Sequence, residues 1–213
     1  MGIFKKHTVP TRTPGELDAM EAAGRIVGQA LLAVQAAAAP GVNTLELDAL
    51  AESVIRDAGA VPSFKGYHGF PGSICTSPNE VVVHGIPRRS TILKEGDLLS
   101  IDCGAILDGW HGDSALTVEI GTVDADVAAL NRATHDVLAA GIAQMVPGNR
   151  LGDISHAIEV AANEASRRYG YTLAIVKEFG GHGIGRELHM DPYLPNEGKP
   201  HRGPFLEEGS VLA

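Results

Sequence analysis

A chain of 213 residues, 44% hydrophobic and 20% charged, can form one large or two small domains with an ample core, and has the makeup of an ordinary soluble globular protein. Its net charge of −9 and pI near 5.4 argue against nucleic acid or an anionic membrane surface as the main partner. Two cysteines, Cys75 and Cys103, give no disulfide framework and suit a reducing cytoplasm, while the N-terminus has no apolar signal core and no apolar run is long enough to span a membrane.

In chain order, residues 1–12 read as a flexible arm, followed by a single domain over 13–213. Thr13-Pro14-Gly15-Glu16 forms a capping box with proline at the first helical position and opens a helix to about Ala39, ended by Pro40-Gly41. Asn43 or Thr44 caps a second helix through Leu47, Leu50, Val54 and Ile55, closed by Gly59. Glu16, Glu21, Glu46 and Glu52 read as helix caps or solvated faces. A loop rich in glycine and aromatics, 64–72, leads to strand-like 73–75, a Pro78-Asn79 turn and strand-like 81–84.

Asp108-Gly109 then separates two strand-like runs, 97–107 and 110–120. This is the strongest short hairpin signal, because a two-residue type I′ turn needs positive φ at both central positions. With Leu107 facing Trp110, Asp102 faces Ala115, and Asp113 lies one diagonal step from Asp102 on the same sheet face. Diagonal neighbours sit about 7–8 Å apart at Cα. Two carboxylates that close are costly unless a cation separates them; the alternative is two aspartates at solvated strand positions. The opposite face, with Leu99, Ile101, Cys103, Ala105, Leu107, Trp110, Leu116 and Val118, is apolar and belongs to a core.

The second part repeats this order. A helix from Asp124 or Asp126 to about Met145 ends at Pro147-Gly148, a fourth helix runs to about Arg168, and strand-like 173–176 precedes a glycine-rich stretch at 180–185. The two Pro-Gly stops are 107 residues apart, and at that offset Glu46 matches Asp153, Leu47 matches Ile154 and Glu52 matches Glu159. This predicts a tandem duplication, with one half at about 13–120 and the other at about 121–213. Residues 95–100 resemble 208–213, so the counterpart of Asp102 is expected two residues past Ala213. On this reading the second half lacks its last hairpin and the chain is a fragment.

His182, framed by Gly180-Gly181 and Gly183-Ile184-Gly185, is a candidate metal ligand, and His84 stands at an expected strand end. His189 is seven residues from His182, so in a regular strand the two would point to opposite faces and not share one ion. His7, His135, His156 and His201 are assigned to solvent. Two aspartates and a histidine form an oxygen-rich set that favours divalent Mn, Fe or Co over a structural zinc and suits metal-assisted hydrolysis.

At this point the residues resemble a known family. N-E-V-V-V-H-G-I-P (79–87), S-I-D-C-G-x-x-x-D-G-W-H-G-D (100–113) and G-H-G-I-G-R-x-x-H (181–189) are similar to the type I methionine aminopeptidases, over about 13–213. The resemblance implies an α+β pita-bread (creatinase/aminopeptidase) fold, an antiparallel sheet flanked by helices with pseudo-two-fold symmetry. It implies two divalent ions per subunit, Co, Mn, Fe or Zn, with Asp102 on one, Asp113 bridging both and His182 on the other. His84 would bind the substrate's N-terminal side and His189 would polarise the scissile carbonyl. Tyr67, His68, Phe70, Cys75 and Leu188 match positions lining the methionine pocket. The implied activity is removal of the initiator methionine from nascent polypeptides when the second residue is small, in the cytoplasm, by a monomer in contact with the ribosome but not with nucleic acid or membrane. The family's two glutamate ligands fall after Ala213, so the 213-residue chain is expected to be inactive. A related proline dipeptidase and a pita-bread binding protein without activity are the competing readings.

Overall fold

The computed structural model describes residues 8–213. The chain divides into two compact units. The first is built from Gly15–Val127 with Gly185–Leu188, the second from 8–14, Ala128–Ile184 and His189–Ala213.

In the first unit, α1 (Pro14–Ala37) and α2 (Thr44–Asp57) precede β1 (Val61–Pro62), β2 (Ile74–Pro78), β3 (Leu98–Leu107) and β4 (Trp110–Glu119). α1 buries Ala23, Ile26, Val27, Ala30, Leu31 and Val34, a stripe at the three-to-four spacing of a helix packed on one face. Asn43 caps α2, its Oδ1 accepting from Glu46 N at 3.1 Å while Asn43 Nδ2 donates back to Glu46 Oε1 at 2.8 Å. All pairings of the sheet are antiparallel, with β3 at its centre: β4 runs along one edge of it, β1 and β2 along the other. Leu99, Ile101, Cys103 and Ala105 on β3 are 0% exposed and pack with Leu47, Ala51 and Ile55 of α2. The hairpin register is the expected one: Leu107 faces Trp110 and Asp102 faces Ala115. Its turn has Asp108 at φ +51° and Gly109 at φ +77°, as a type I′ turn requires.

The expected strand at 81–84 does not form. The chain leaves the sheet at Asn79, whose φ is +51°, and returns at Gly85, whose carbonyl accepts from Thr76 N at 2.9 Å. The three β-branched valines between, Val81–Val83, are exposed instead of paired.

The second unit holds most of α3 (Ala125–Ile142), α4 (Leu151–Tyr169), β5 (Gly180–Gly183) and β6 (Met190–Pro195). α3 stops three residues short of Met145, and the apolar run 173–176 is not a strand. Leu151, Ile154, Leu194 and Leu206 form a core with Val9, which is 1% exposed. The expectation of a flexible arm over 1–12 is therefore corrected at residues 8–12. Val9 N donates to Phe205 O at 2.9 Å and Arg12 N to Gly209 O at 2.8 Å, so backbone pairing and a buried valine dock this stretch. The arm's first part, including His7, lies outside the described residues. No helix is long and apolar enough to cross a membrane among the described residues.

Candidate functional site

The hairpin of the first unit brings Asp102 and Asp113 onto one face. Asp113 pairs directly with Gly104, two residues along β3 from Asp102, and both aspartates are half-buried. On the other edge of β3, Cys75 pairs with Asp102. Burial, and then the negative charges of Asp102 and Asp113, push the Cys75 thiol up to about 12.

Beside the aspartates lies an apolar cluster of Phe64, Cys75 and Leu188, with Phe70 packed against it. Three devices place these side chains. Phe64 rests on Gly104, where a Cβ would lie 2.8 Å from the Phe64 ring. Phe70 closes the 3-10 turn Tyr67–Gly69, donating from its N to Tyr67 O at 2.9 Å. Leu188 arrives on the segment Gly185–Leu188, which is fastened to the hairpin tip. Gly185 O accepts from His111 N at 2.9 Å, Arg186 Nη1 donates to Asp108 O at 2.9 Å, and its guanidinium lies 4.1 Å from the centre of the Trp110 ring. Tyr67 and His68 are exposed at the cluster's loop, their rings 4.4 Å apart edge to face, with His68 at φ +47°. His84 is exposed at φ +57° on the loop that re-enters the sheet at Gly85.

In the second unit, His182 and His189 are brought together, their ring centres 4.3 Å apart. The expectation of opposite faces is corrected. His182 lies on β5 and His189 just before β6, which pairs antiparallel with β5, so the chain reverses between them and the alternation of one strand does not apply. His182 is held by both its backbone, paired with Ala213 at 2.8 and 2.9 Å, and its ring, Nδ1 lying 2.9 Å from Gly183 O. A ring whose Nδ1 donates to a carbonyl carries its lone pair on Nε2, the tautomer of a histidine metal ligand.

Among the sites assigned to solvent, His135 and His201 have 83% and 88% exposed side chains; His156 is half-buried. Glu52 is not on a solvated face. Its side chain is 21% exposed and ties Arg56, Lys65 and Ser73 together. Sequence reasoning also passed over Phe64 as a pocket residue, and over Asp48, a 6% exposed carboxylate that accepts from Ser73 N at 2.6 Å and Ile74 N at 3.0 Å. The available signal for Asp48 was its place next to Leu47 on the apolar arc of α2.

The residues present fit a divalent cation. Asp102 and Asp113 offer hard oxygen donors on one face, a donor type that suits oxygen-preferring divalent ions. Among the described residues no group of three or more His, Cys, Asp or Glu could hold a metal ion.

Comparison with known proteins gives the same direction. Residues 18–213 match the model of metallopeptidase family M24. A methionine aminopeptidase 1 from Mycobacterium tuberculosis is 60% identical over 208 residues, 98% of this chain and 78% of the relative. Methionine aminopeptidase 1 of Bacillus subtilis is 46% identical, over 95% of this chain and 79% of its own length. The crystal structure of methionine aminopeptidase from Thermotoga maritima superposes with a TM-score of 0.90 at 37% identity, covering 96% of this chain and 80% of that one. A prolidase from Pyrococcus furiosus, at 22% identity and a TM-score of 0.74 over 56% of its length, shares the fold alone. These likenesses and the α+β, pita-bread arrangement of helices and antiparallel strands have one reading: the chain belongs to metallopeptidase family M24, among its type I methionine aminopeptidases.

Proposed function

We propose that the protein removes the N-terminal methionine from polypeptides whose second residue is small, by metal-assisted hydrolysis of the first peptide bond. The observation that carries this reading is the adjacency of a carboxylate pair, Asp102 and Asp113, to an apolar pocket of Phe64, Phe70, Cys75 and Leu188. The pocket suits an unbranched thioether, which fills an aromatic and sulfur-lined slot better than branched side chains do.

Asp102, Asp113 and His182 would hold two divalent ions, Co, Mn, Fe or Zn. The chemistry such ions supply when bound is Lewis acidity at the scissile carbonyl and a lowered pKa for water. His84 orients the substrate's N-terminal side, and His189 donates to the carbonyl oxygen as negative charge develops there. Tyr67 and His68 complete the rim of the pocket. The substrates are nascent chains in the cytoplasm, met at the ribosome by a monomer. The test is release of free methionine from Met-Ala-Ser by purified protein supplied with each divalent metal. Release that depends on added metal and disappears in Asp113→Asn, with the circular dichroism spectrum unchanged, is expected. Full turnover in Asp113→Asn would refute it, and release by residues 1–213 alone would overturn the expectation that this chain is inactive without two further carboxylates.

A further inference from the structure

One polar cluster in the first unit is used neither by the core nor by the assigned site. α2 buries Leu47, Ala51 and Ile55 at 0–1% exposure on one face. Next to that face, one turn apart, stand Asp48 and Glu52. Asp48 holds the backbone at Ser73 and Ile74, the start of β2. Glu52 does something less usual with a single oxygen. Its Oε2 accepts from Lys65 Nζ at 2.6 Å and from Ser73 Oγ at 3.1 Å, while Oε1 is occupied by Arg56 Nε at 2.7 Å. Lys65 and Ser73 are the two ends of the loop that carries Tyr67, His68 and Phe70, so one carboxylate oxygen draws both ends of this loop together.

The loop needs such a tie. Gly66, His68 and Gly69 all have positive φ, and its internal bonds are short-range: Gly66 N to Phe70 O, Tyr67 N to Phe64 O, Gly69 N to Gly66 O and Phe70 N to Tyr67 O. The rest of the pocket wall is firm: Phe64, Cys75 and Leu188 are 8%, 4% and 2% exposed. The pocket therefore has a fixed wall in the core and a wall on a closed loop whose ends meet at Glu52.

We infer that Glu52 and Lys65 are positioning residues that set the selectivity of the pocket by clasping the loop 65–73 shut. The inference rests on the methionine-pocket reading above. Removing the clasp leaves the fold standing, because the pair is partly exposed, Lys65 at 43% and Glu52 at 21%, and contributes little global stability. It lets Tyr67 and Phe70 move relative to Phe64, and a wall that moves no longer rejects a branched side chain. One methylene's worth of fit carries about tenfold or more in discrimination, and part of that is lost with the clasp.

The experiment compares Glu52→Ala, Lys65→Met and Lys65→Arg with the unaltered protein. Hydrogen exchange is read over 64–75, together with kcat and KM for Met-Ala-Ser and Leu-Ala-Ser and the melting temperature. Expected are faster exchange confined to the loop in Glu52→Ala and Lys65→Met and a fall of about tenfold in the Met over Leu ratio of kcat/KM. That fall is carried by KM for the methionyl peptide, with kcat within about twofold and a melting shift of at most about 4 °C. Lys65→Arg, which keeps the charge, restores the ratio. An unchanged ratio with unaltered loop exchange overturns the inference, as does an equal loss of kcat on both peptides. If the unaltered protein binds methionine amide no better than leucine amide in a calorimetric titration, the methionine-pocket reading falls and takes the selectivity claim with it; a preference for methionine that none of the variants alters overturns the clasp alone.

Discussion

Gly104 is the position where one added methyl group tests the site's construction. It lies in β3 directly across from Asp113. A Cβ there would stand 2.8 Å from Phe64 Cε1 and 2.9 Å from Ser63 Cβ. Carbon atoms pack best at about 3.5–4.0 Å, so the neighbours must yield by on the order of 1 Å. Phe64 has no free direction, being 8% exposed against Cys75 and Leu188. Ser63 is fixed by its N–H to Gly104 O at 2.9 Å and by its hydroxyl, 3.0 Å from His111 Nδ1. Overpacking costs about 1–3 kcal/mol. Against it stands the gain of about 0.4–1 kcal/mol from stiffening the unfolded chain when glycine becomes alanine at a permissive backbone. Gly104→Ala is thus expected to lose about 1–2 kcal/mol, a melting shift of about 2–8 °C for a chain of this size, and to weaken preference for methionyl peptides. Phe64→Leu removes the clashing ring edge, so the double variant should recover about 1 kcal/mol relative to additivity. Melting curves and urea titrations of the three variants decide it. A Gly104→Ala protein as stable as the parent, or strict additivity in the double variant, would refute the proposed packing of Phe64 on the aspartate hairpin.

Ile101→Ala, at a 0% exposed position in the middle of β3, is expected to cost about 2–5 kcal/mol in urea unfolding; a loss under about 1 kcal/mol would mean the sheet core is not packed as described. The Glu52 carboxyl is held down to about 2, chiefly by its hydrogen bonds from Lys65 and then Arg56. An unfolded glutamate titrates near about 4.3. Because the folded value is the lower one, the contribution is complete above the unfolded pKa and lost as pH falls toward 2. The two cations are 43% and 50% exposed, which limits that contribution to about 1 kcal/mol. Glu52→Gln should therefore show a flatter stability profile than the parent between pH 5 and 2, and identical slopes would count against the pairing. Arg186→Ala removes the bond to Asp108 O and the stacking on Trp110. It is expected to weaken binding of methionine amide severalfold through Leu188 while leaving urea unfolding within about 1 kcal/mol, and unchanged binding would show that Leu188 is placed by other contacts.

What the sequence made legible, and what it hid, divides along the range of the interactions. The hairpin was readable to the residue because a two-residue turn with Asp108-Gly109 fixes the register of everything paired across it, including the shared face of Asp102 and Asp113. The helices were readable from periodicity and capping, within a few residues at their ends. Val81–Val83 misled because β-branched residues favour strands only where a partner edge exists, and here the chain is out of the sheet between Asn79 and Gly85. The parity argument for His182 and His189 failed because the chain reverses between β5 and β6, so the two histidines never share one strand. Residues 8–12 appeared free because pairing with Phe205 and Gly209 spans nearly the whole chain. Glu52 and Asp48 were missed for the same reason: a carboxylate on a helix looks solvated until the loop that needs it is placed beside it.

That last miss bears on the duplication. At the offset of 107 residues, Leu47 and Ile154 are both buried, at 1% and 2% exposure. Glu46 and Asp153 both serve their own helix start, Glu46 bonding with Asn43 and Asp153 accepting from Arg150 N at 2.7 Å. Glu52 and Glu159 both reach beyond the helix to a later loop, the first to Lys65 and Ser73, the second to Gly198 N at 3.1 Å. The physical need is the same in each half. A long loop after the helix has few regular partners for its polar groups, and a buried or half-buried donor left unmet is expensive. A carboxylate two turns into the preceding helix meets that need without disturbing the apolar face. The halves then diverge in what is gripped. In the second, Glu159 takes a backbone amide and Asp153 another at His201, 2.8 Å away, so the loop is held by its main chain. In the first, Asp48 likewise takes two backbone amides, at Ser73 and Ile74, and Glu52 adds two side chains at the ends of an aromatic loop, a grip that single substitutions can tune without unmaking the backbone. The half that carries the proposed methionine pocket is thus the one with an adjustable clasp added to its main-chain grip, which is where variation in side-chain selectivity would be expected to arise.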